Sequence, residues 1–145
     1  MPIVVRAVEQ NEYDEWVSGK KQAAFELAQL TEKDWSVEEL LANGESVYVK
    51  NCAACHQVNG QGIPGIFPAL AGSEIVLNDK PRNVEILMEG VQGAAMQSFA
   101  NQLSEVDIAS VITYTRKAWG NDAKGDGEVV LPKEILEYKN NNQRS

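Results

Sequence analysis

Both cysteines and the single histidine of this 145-residue chain lie within five residues, Cys52-Ala53-Ala54-Cys55-His56. Residues three and four positions apart share one face of a helix, so the two thiols and the imidazole are expected on the same side. The pattern C-x-x-C-H is the attachment sequence of a c-type haem. Two thiols at this spacing can add to the vinyl groups of the haem, and the imidazole can bind its iron. We therefore predict one covalent haem, held by Cys52, Cys55 and His56.

Three other kinds of site use the same residue types. A structural zinc ion normally takes four ligands, and the cysteines and histidine of this chain supply three. A thioredoxin-like C-x-x-C would lie near a βαβ pattern, which the sequence does not show. A structural disulfide would leave His56 without a role. Covalent haem is therefore the favoured prediction.

A haem iron bound by one imidazole takes a sixth ligand or keeps an open site, and the chain has three methionines. Met1 is terminal, and Met88 falls on the apolar face of a predicted helix, where packing is favoured. Met96 lies in a loop between two predicted helices, and a thioether is a soft ligand suited to haem iron. We predict His56 and Met96 as the metal ligands. A closed iron favours electron transfer, whereas an open one would indicate a peroxidase or a gas sensor.

The composition narrows the class of protein. A hydrophobic share of 43% permits a packed core, and no run of about 18 apolar residues predicts a transmembrane helix. The N-terminus does not resemble a signal peptide, which suggests a processed or excised fragment. The net charge of −8, from 21 acidic and 13 basic residues, argues against nucleic acid and anionic lipid as partners. It is compatible with docking to a basic patch on a redox partner.

Helices are predicted on both sides of the motif. A capping box over residues 36–39 begins a helix that leads into Cys52. A helix with proline in its first turn is predicted from Pro81 to about Glu89. The strongest helical pattern runs from Ser104 to Trp119, with a capping serine at its start and Gly120 beyond its end.

The remaining segments are predicted to be a strand, a linker helix, a loop and a tail. Residues 3–8 predict a short strand, and a helical pattern begins at Asn11 and ends near residues 31–35. Residues 60–72 are rich in glycine and proline but contain apolar side chains, so the loop is expected to wrap around the edge of a haem. From Asn121 onward the sequence indicates an irregular, fraying tail.

The stretch from Gly44 to Trp119 resembles a class I cytochrome c domain. The residues that carry this resemblance are Gly44, Tyr48, the Cys52–His56 motif, Pro68-Ala69-Leu70-Ala71-Gly72, Met96, Val111 and Tyr114. The resemblance implies an all-α fold whose first and last helices cross, at Gly44, around the covalent haem. It also implies that Pro68 and Leu70 contribute to the haem site. The carbonyl of Pro68 would accept a hydrogen bond from Nδ1 of the axial histidine. Gln97 stands where the family often has a proline after the methionine ligand.

A narrower resemblance comes from the two ends of the chain. Residues 1–5 and 12–17 resemble the end of the copper domain in subunit II of haem–copper cytochrome c oxidases. Met1 stands at the position of a methionine ligand to the dinuclear copper centre of that family, although it can equally be an initiator. Residues 114–121 resemble the Tyr-x-x-x-x-Trp-Gly-Asn ending of the cytochrome c extension that some bacterial subunits II carry.

The narrower resemblance implies an organisation in four parts. These are residues 1–9, the last strand of a cupredoxin-like copper domain; residues 10–35, a helical linker; residues 36–121, the cytochrome c domain; and residues 122–145, a flexible tail. Copper would belong only to the missing upstream domain. The full-length protein would be anchored in the bacterial inner membrane, with this part on the periplasmic side and not in contact with the bilayer.

The function implied is electron transfer. The haem would receive electrons from a soluble cytochrome c or a quinol–cytochrome c reductase. It would pass them to the copper domain of its own subunit, within the other oxidase subunits. The domain alone would then be a carrier rather than a catalyst. Two alternatives stay open: a freestanding, diffusible periplasmic cytochrome c, and a haem peroxidase or gas sensor with an open sixth site.

Overall fold

The computed structural model describes residues 7–143, and the chain divides into two units, Met1–Lys33 and Asp34–Ser145. Within the described residues the regular structure is helical and contains no strand, which confirms the predicted all-α class. The helices are α1 Gln10–Glu32, α2 Val37–Asn51, α3 Ala53–His56, α4 Glu74–Asn78, α5 Lys80–Glu89, α6 Glu105–Lys117, α7 Asn121–Lys124 and α8 Pro132–Gln143. Most of the strand predicted over residues 3–8 lies outside the described part.

The first unit contains one long helix, α1. It begins at Gln10, one residue before the predicted start at Asn11, and Glu9 at its N-cap makes no side-chain hydrogen bond. Its exposed side chains include the rings of Tyr13, Trp16 and Phe25. Although α1 has 23 residues, neither it nor any other helix between residues 7 and 143 is long and apolar enough to cross a membrane.

The second unit is organised around the crossing of α2 and α6, the most extensive contact between its helices. The predicted capping box begins α2: the amide of Glu39 donates to Ser36 Oγ at 3.2 Å, and the Ser36 amide donates to Glu39 Oε2 at 2.9 Å. A Cβ atom on Gly44 would lie 2.1 Å from the carbonyl oxygen of Ser110 and 2.7 Å from Cβ of Tyr114. The helices therefore approach closely enough to require glycine at residue 44, as predicted.

The core lies between α2, α5, α6 and α8, and its members are apolar apart from one tyrosine hydroxyl. They are Val47, Tyr48, Val84, Met88, Ile108, Ala109, Val111, Ile112, Val130 and Ile135. Met88 is among them, so the packing role predicted for this methionine is confirmed.

The expectation of an irregular tail after Asn121 is wrong for the described part of that segment. It contains α7 and α8, and Val130 and Ile135 have no exposed surface. The hydroxyl of Thr113 donates to the Val130 carbonyl and accepts from the Val130 amide, both at 3.0 Å. This segment folds because α6 supplies both its hydrogen-bond partners and an apolar surface, neither of which its own glycines and asparagines indicate.

A buried cation also fixes the C-terminal segment. The side chain of Arg116 is only 2% exposed. Its Nε donates to the Glu128 carbonyl and its Nη1 to the Val76 carbonyl, each at 2.9 Å. Its Nη2 pairs with the carboxylate of Asp126. The hydrogen bond from Arg116 holds the pKa of Asp126 below its ordinary value.

Replacing Gly44 by alanine should destabilise the haem-bound protein by about 3 kcal/mol, the upper end of ordinary overpacking costs. The added methyl group would overlap the Ser110 carbonyl unless α2 and α6 separate. Urea unfolding followed by circular dichroism measures the change. Ser46→Ala is the control, because residue 46 is exposed on the same helix and should change stability by less than about 0.5 kcal/mol. An equally small change for Gly44→Ala would contradict the close crossing.

Replacing Asp126 by asparagine should remove part of the loss of stability in acid. The depressed pKa of Asp126 means that the ion pair contributes fully above the ordinary aspartate pKa of about 3.9 and is lost as the pH falls through the lower, folded-state value. Asp126→Asn should therefore destabilise the protein most at neutral pH, and the difference from wild type should shrink below about pH 4. Unfolding midpoints measured from pH 7 to pH 2 test this, and a pH-independent difference would contradict it.

Candidate functional site

The C-x-x-C-H motif lies at the junction of α2 and α3. Cys52 separates the two helices, with φ −123° and ψ −34°, so α2 does not run unbroken through the motif. The Cys52 carbonyl accepts hydrogen bonds from the amides of Cys55 at 3.2 Å and His56 at 2.9 Å. One helical turn therefore carries both thiols and the imidazole, and all three residues are half-buried.

The two cysteines are not joined to each other. Burial, with a smaller contribution from Cys55, raises the pKa of the Cys52 thiol to about 11. Cys52 also packs against the core, as does Leu70 from the loop that follows α3. Neighbouring thiols without a disulfide, one of them against apolar surface, suit attachment of an apolar group.

The imidazole of His56 is held by the residue that the sequence predicts. Nδ1 of His56 lies 2.9 Å from the carbonyl oxygen of Pro68. A carbonyl can only accept, so Nδ1 carries the hydrogen, and in the neutral imidazole Nε2 then has the lone pair. A hydrogen bond of this type orients a metal-binding histidine and increases the basicity of its free nitrogen. The ring is thus prepared to bind a metal through Nε2.

The loop of residues 57–72, called the His56 loop below, has an apolar and concave surface. Its bends are closed by hydrogen bonds from the Gly62 amide to the His56 carbonyl and from the Phe67 amide to the Ile63 carbonyl, at 2.9 and 2.8 Å. A concavity of about 410 Å³ is lined by Gln61, Pro64, Gly65, Ile66, Phe67, Pro68 and Ala69. Ile66 is 69% exposed. Pro68, the hydrogen-bond partner of His56, is among the lining residues, whereas Cys52, Cys55, His56 and Met96 are not.

Met96 lies half-buried in the loop between α5 and α6. Its carbonyl accepts from the Val91 amide at 2.9 Å, and two residues later the hydroxyl of Ser98 donates to the Met88 carbonyl at 2.5 Å. Gly90, with φ +74°, follows the last residue of α5 and lies against this loop. A Cβ atom on Gly90 would lie 2.9 Å from the Met96 carbonyl oxygen. The loop is therefore braced without the proline that the family often has after its methionine. That Met96 pairs with His56 on one metal stays a prediction.

An aromatic cluster connects α2, α6 and the His56 loop. The ring centroids of Tyr48, Tyr114 and Trp119 are 5.2–5.7 Å apart. The Tyr48 hydroxyl donates to the Gln57 carbonyl at 2.5 Å. Burial is the main cause that raises the pKa of both Tyr48 and Tyr114. The sequence did not predict the contacts of Trp119 and Asn121 with the His56 loop, although both residues belong to the Tyr-x-x-x-x-Trp-Gly-Asn ending.

A family model described as cytochrome c oxidase, cbb3-type, subunit III matches residues 38–114, which include most of both helices of the crossing and the whole of the motif. The chain belongs to this cytochrome c family. A cytochrome c domain implies covalent haem c and electron transfer, and the class I fold predicted for the chain agrees with its all-α structure.

Several curated proteins are similar to this cytochrome c domain. Cytochrome c-552 of Thermus thermophilus is 41% identical over 100 residues, which cover 59% of this chain and 75% of the relative. The cytochrome c subunit of alcohol dehydrogenase (quinone) from Gluconobacter oxydans is 37% identical over 92 residues, 57% of this chain. The chain spans only 19% of that subunit. The cbb3-type cytochrome c oxidase subunit CcoP of Azospirillum brasilense is 31% identical over 83 residues, 53% of this chain and 28% of the relative.

Proposed function

We propose that this domain transfers electrons through one haem c, attached to Cys52 and Cys55 and ligated by His56 and Met96. The observation that carries the proposal is the hydrogen bond between His56 Nδ1 and the Pro68 carbonyl, which leaves Nε2 as the ligating nitrogen. The bound haem supplies one-electron redox chemistry, with a potential that His/Met ligation raises. The apolar part of the site is assigned to the His56 loop, whose Leu70 side chain packs against the core.

The protein's contribution is to hold both proposed ligands: His56, the last residue of α3, through the loop that follows it, and Met96 within the loop between α5 and α6. Pro68 fixes the imidazole of His56, and Val91 fixes the backbone of Met96. Side chains held in this way would move little when a bound haem gains or loses an electron, which would favour fast electron transfer. His56 and Met96 would together hold a haem c with no vacancy for oxygen or peroxide, so the group would supply electron transfer and no bond chemistry.

Replacing Met96 by leucine should convert the low-spin iron to a high-spin form that binds carbon monoxide, because the sixth ligand is lost while the side-chain volume is kept. Met88→Leu is the matched control: it removes a thioether from the core, where Met88 is 6% exposed, and should leave the iron low-spin. Visible absorption with and without carbon monoxide measures both. Haem should stay on the chain after denaturation in all three proteins.

Two results would contradict the ligand assignment. A low-spin spectrum in Met96→Leu that does not respond to carbon monoxide would exclude Met96 as ligand. Carbon monoxide binding by the wild-type protein would show an open sixth site and favour the peroxidase or sensor alternative. Loss of haem on denaturation would contradict attachment through Cys52 and Cys55.

We further propose that the electrons go to the dinuclear copper centre of a terminal cytochrome c oxidase, of which this domain is the subunit II extension. The support is the resemblance of residues 1–5, 12–17 and 114–121 to that subunit. In this proposal residues 1–9 end the copper domain, residues 10–35 form the linker, and the haem domain extends through α8. The site faces the periplasm, and the donor is a soluble cytochrome c or a quinol–cytochrome c reductase.

A freestanding periplasmic carrier is the second candidate. It is favoured by the similarity to cytochrome c-552 of Thermus thermophilus, which this chain matches over 75% of the length of that protein. The two candidates differ in whether the haem and its electron acceptor belong to one polypeptide.

Purification of the native gene product from membranes and periplasm should decide between them. We expect a longer polypeptide that carries copper together with haem c, and electron transfer from the haem to copper at a rate independent of protein concentration. The reaction can be followed by stopped-flow absorption after rapid reduction, with Met96→Leu as the control that should alter the transfer step. A copper-free polypeptide whose electron transfer to an oxidase scales with its concentration would support the freestanding carrier instead.

A further inference from the structure

Trp119, directly after α6, holds the beginning of the His56 loop. Its indole Nε1 donates to the Val58 carbonyl at 3.0 Å. Its ring covers Gly60 so closely that a Cβ atom there would lie 2.5 Å from the ring. Trp119 therefore restrains the position of the backbone at Val58 and leaves no room for a side chain at residue 60.

Asn121, two residues further along, holds the end of the same loop. Its Oδ1 accepts from the Gly72 amide at 2.9 Å, and its Nδ2 donates to the Leu70 carbonyl at 3.2 Å. Nδ2 also donates to the Thr115 carbonyl in α6 at 2.8 Å. The side chain has no exposed surface. All of its bonds go to backbone, so Asn121 connects the loop to α6 without contributing to an apolar core.

The two held ends of the loop are also bonded to each other. The Gly60 carbonyl accepts from the amides of Leu70 at 2.7 Å and Ala71 at 2.9 Å. The closed segment between them contains Pro68, whose carbonyl is the partner of His56 Nδ1. The position of that carbonyl is consequently fixed by contacts outside the C-x-x-C-H motif.

Backbone conformation indicates that this arrangement is under restraint. Gln57 and Trp119 are the residues other than glycine that have positive φ among residues 7–143, at +66° and +56°. Left-handed conformations of such residues cost free energy and persist where surrounding contacts determine them. Hydrogen bonds hold both residues. The Tyr48 hydroxyl donates to the Gln57 carbonyl, and the Trp119 indole donates to the carbonyl of Val58, the residue after Gln57.

We propose that Trp119 and Asn121 form a clasp that positions the axial histidine. By holding the two ends of the His56 loop against α6, the clasp keeps the Pro68 carbonyl on Nδ1 of His56. It thereby sets the orientation and basicity of the nitrogen that binds iron. Neither clasp residue touches the imidazole, so both are positioning residues. The inference rests on the proposed ligation of haem iron by His56.

The test uses the haem-bound protein labelled with ¹⁵N-histidine, in which His56 gives the only imidazole signals. Trp119→Phe keeps a ring on Gly60 but removes the donor to Val58, and Asn121→Ala removes the bonds to Leu70 and Gly72. In the reduced protein, solvent exchange of the His56 Nδ1 hydrogen should be about three- to tenfold faster in each variant, the effect of losing one ordinary hydrogen bond.

Tyr138→Phe is the matched control. It also removes one hydrogen bond of an aromatic side chain, from Tyr138 to Glu89, but lies on α8 and makes no bond to the His56 loop. Its His56 exchange should equal that of wild type. The amide of Ile112, buried in α6, reports global unfolding. Loss of one hydrogen bond should accelerate its exchange to a similar extent in Trp119→Phe and in Tyr138→Phe.

Wild-type exchange of Nδ1 in both clasp variants would overturn the proposal. Nδ1 exchange in Tyr138→Phe accelerated as much as in the clasp variants would also overturn it, since Trp119 and Asn121 would then only stabilise the fold. If Asn121→Ala does not fold, Trp119→Phe decides the question alone. An imidazole signal that titrates freely in the wild-type protein would show that His56 is not a ligand, and would overturn the proposed function rather than the clasp contacts.

Discussion

The close crossing of α2 and α6 at Gly44 is the constraint on which the rest of the second unit depends. A side chain there would overlap the Ser110 carbonyl, so the two helices can meet only where one of them has no Cβ. The same crossing brings Tyr48 of α2 against Tyr114 and Trp119. Since α2 leads directly into Cys52, the crossing also sets where the attachment motif begins.

The two proposed ligands depend on loops, since His56 ends α3 with its partner Pro68 in the following loop, and Met96 lies in the loop between α5 and α6. Loops need restraints that helices do not. The His56 loop obtains them from backbone bonds across its base and from side chains beyond α6. The loop that carries Met96 obtains its restraints from the end of α5. Gly90 lies against the backbone of this loop, and the Met88 carbonyl accepts a hydrogen bond from Ser98. A carrier whose iron changes charge gains from such restraint, because a ligand that cannot shift adds little reorganisation to each electron transfer.

The sequence predicted those elements whose signals are local. Ser36 and Ser104 cap α2 and α6 as expected, since a cap involves residues three positions apart. α8 was missed because its stability comes from residues far away in sequence, such as Thr113 bonding Val130. The contacts that Trp119 and Asn121 make with the His56 loop were missed for a related reason. The two side chains bind backbone carbonyls and amides, which every residue has, so no pattern of residue types in the loop reveals the partner.

The burial of α6 explains how these distant restraints act together. α2 packs against it, α8 packs against it as well, and its buried polar residues each require a partner. Ser110 accepts from Asn43 of α2, Thr113 binds Val130, and Arg116 binds the segment before α8. These bonds specify the rotation of α6 about its axis, which apolar packing alone would leave less defined. Because Trp119 and Asn121 follow directly from the last turn of α6, that rotation also determines where both side chains meet the His56 loop.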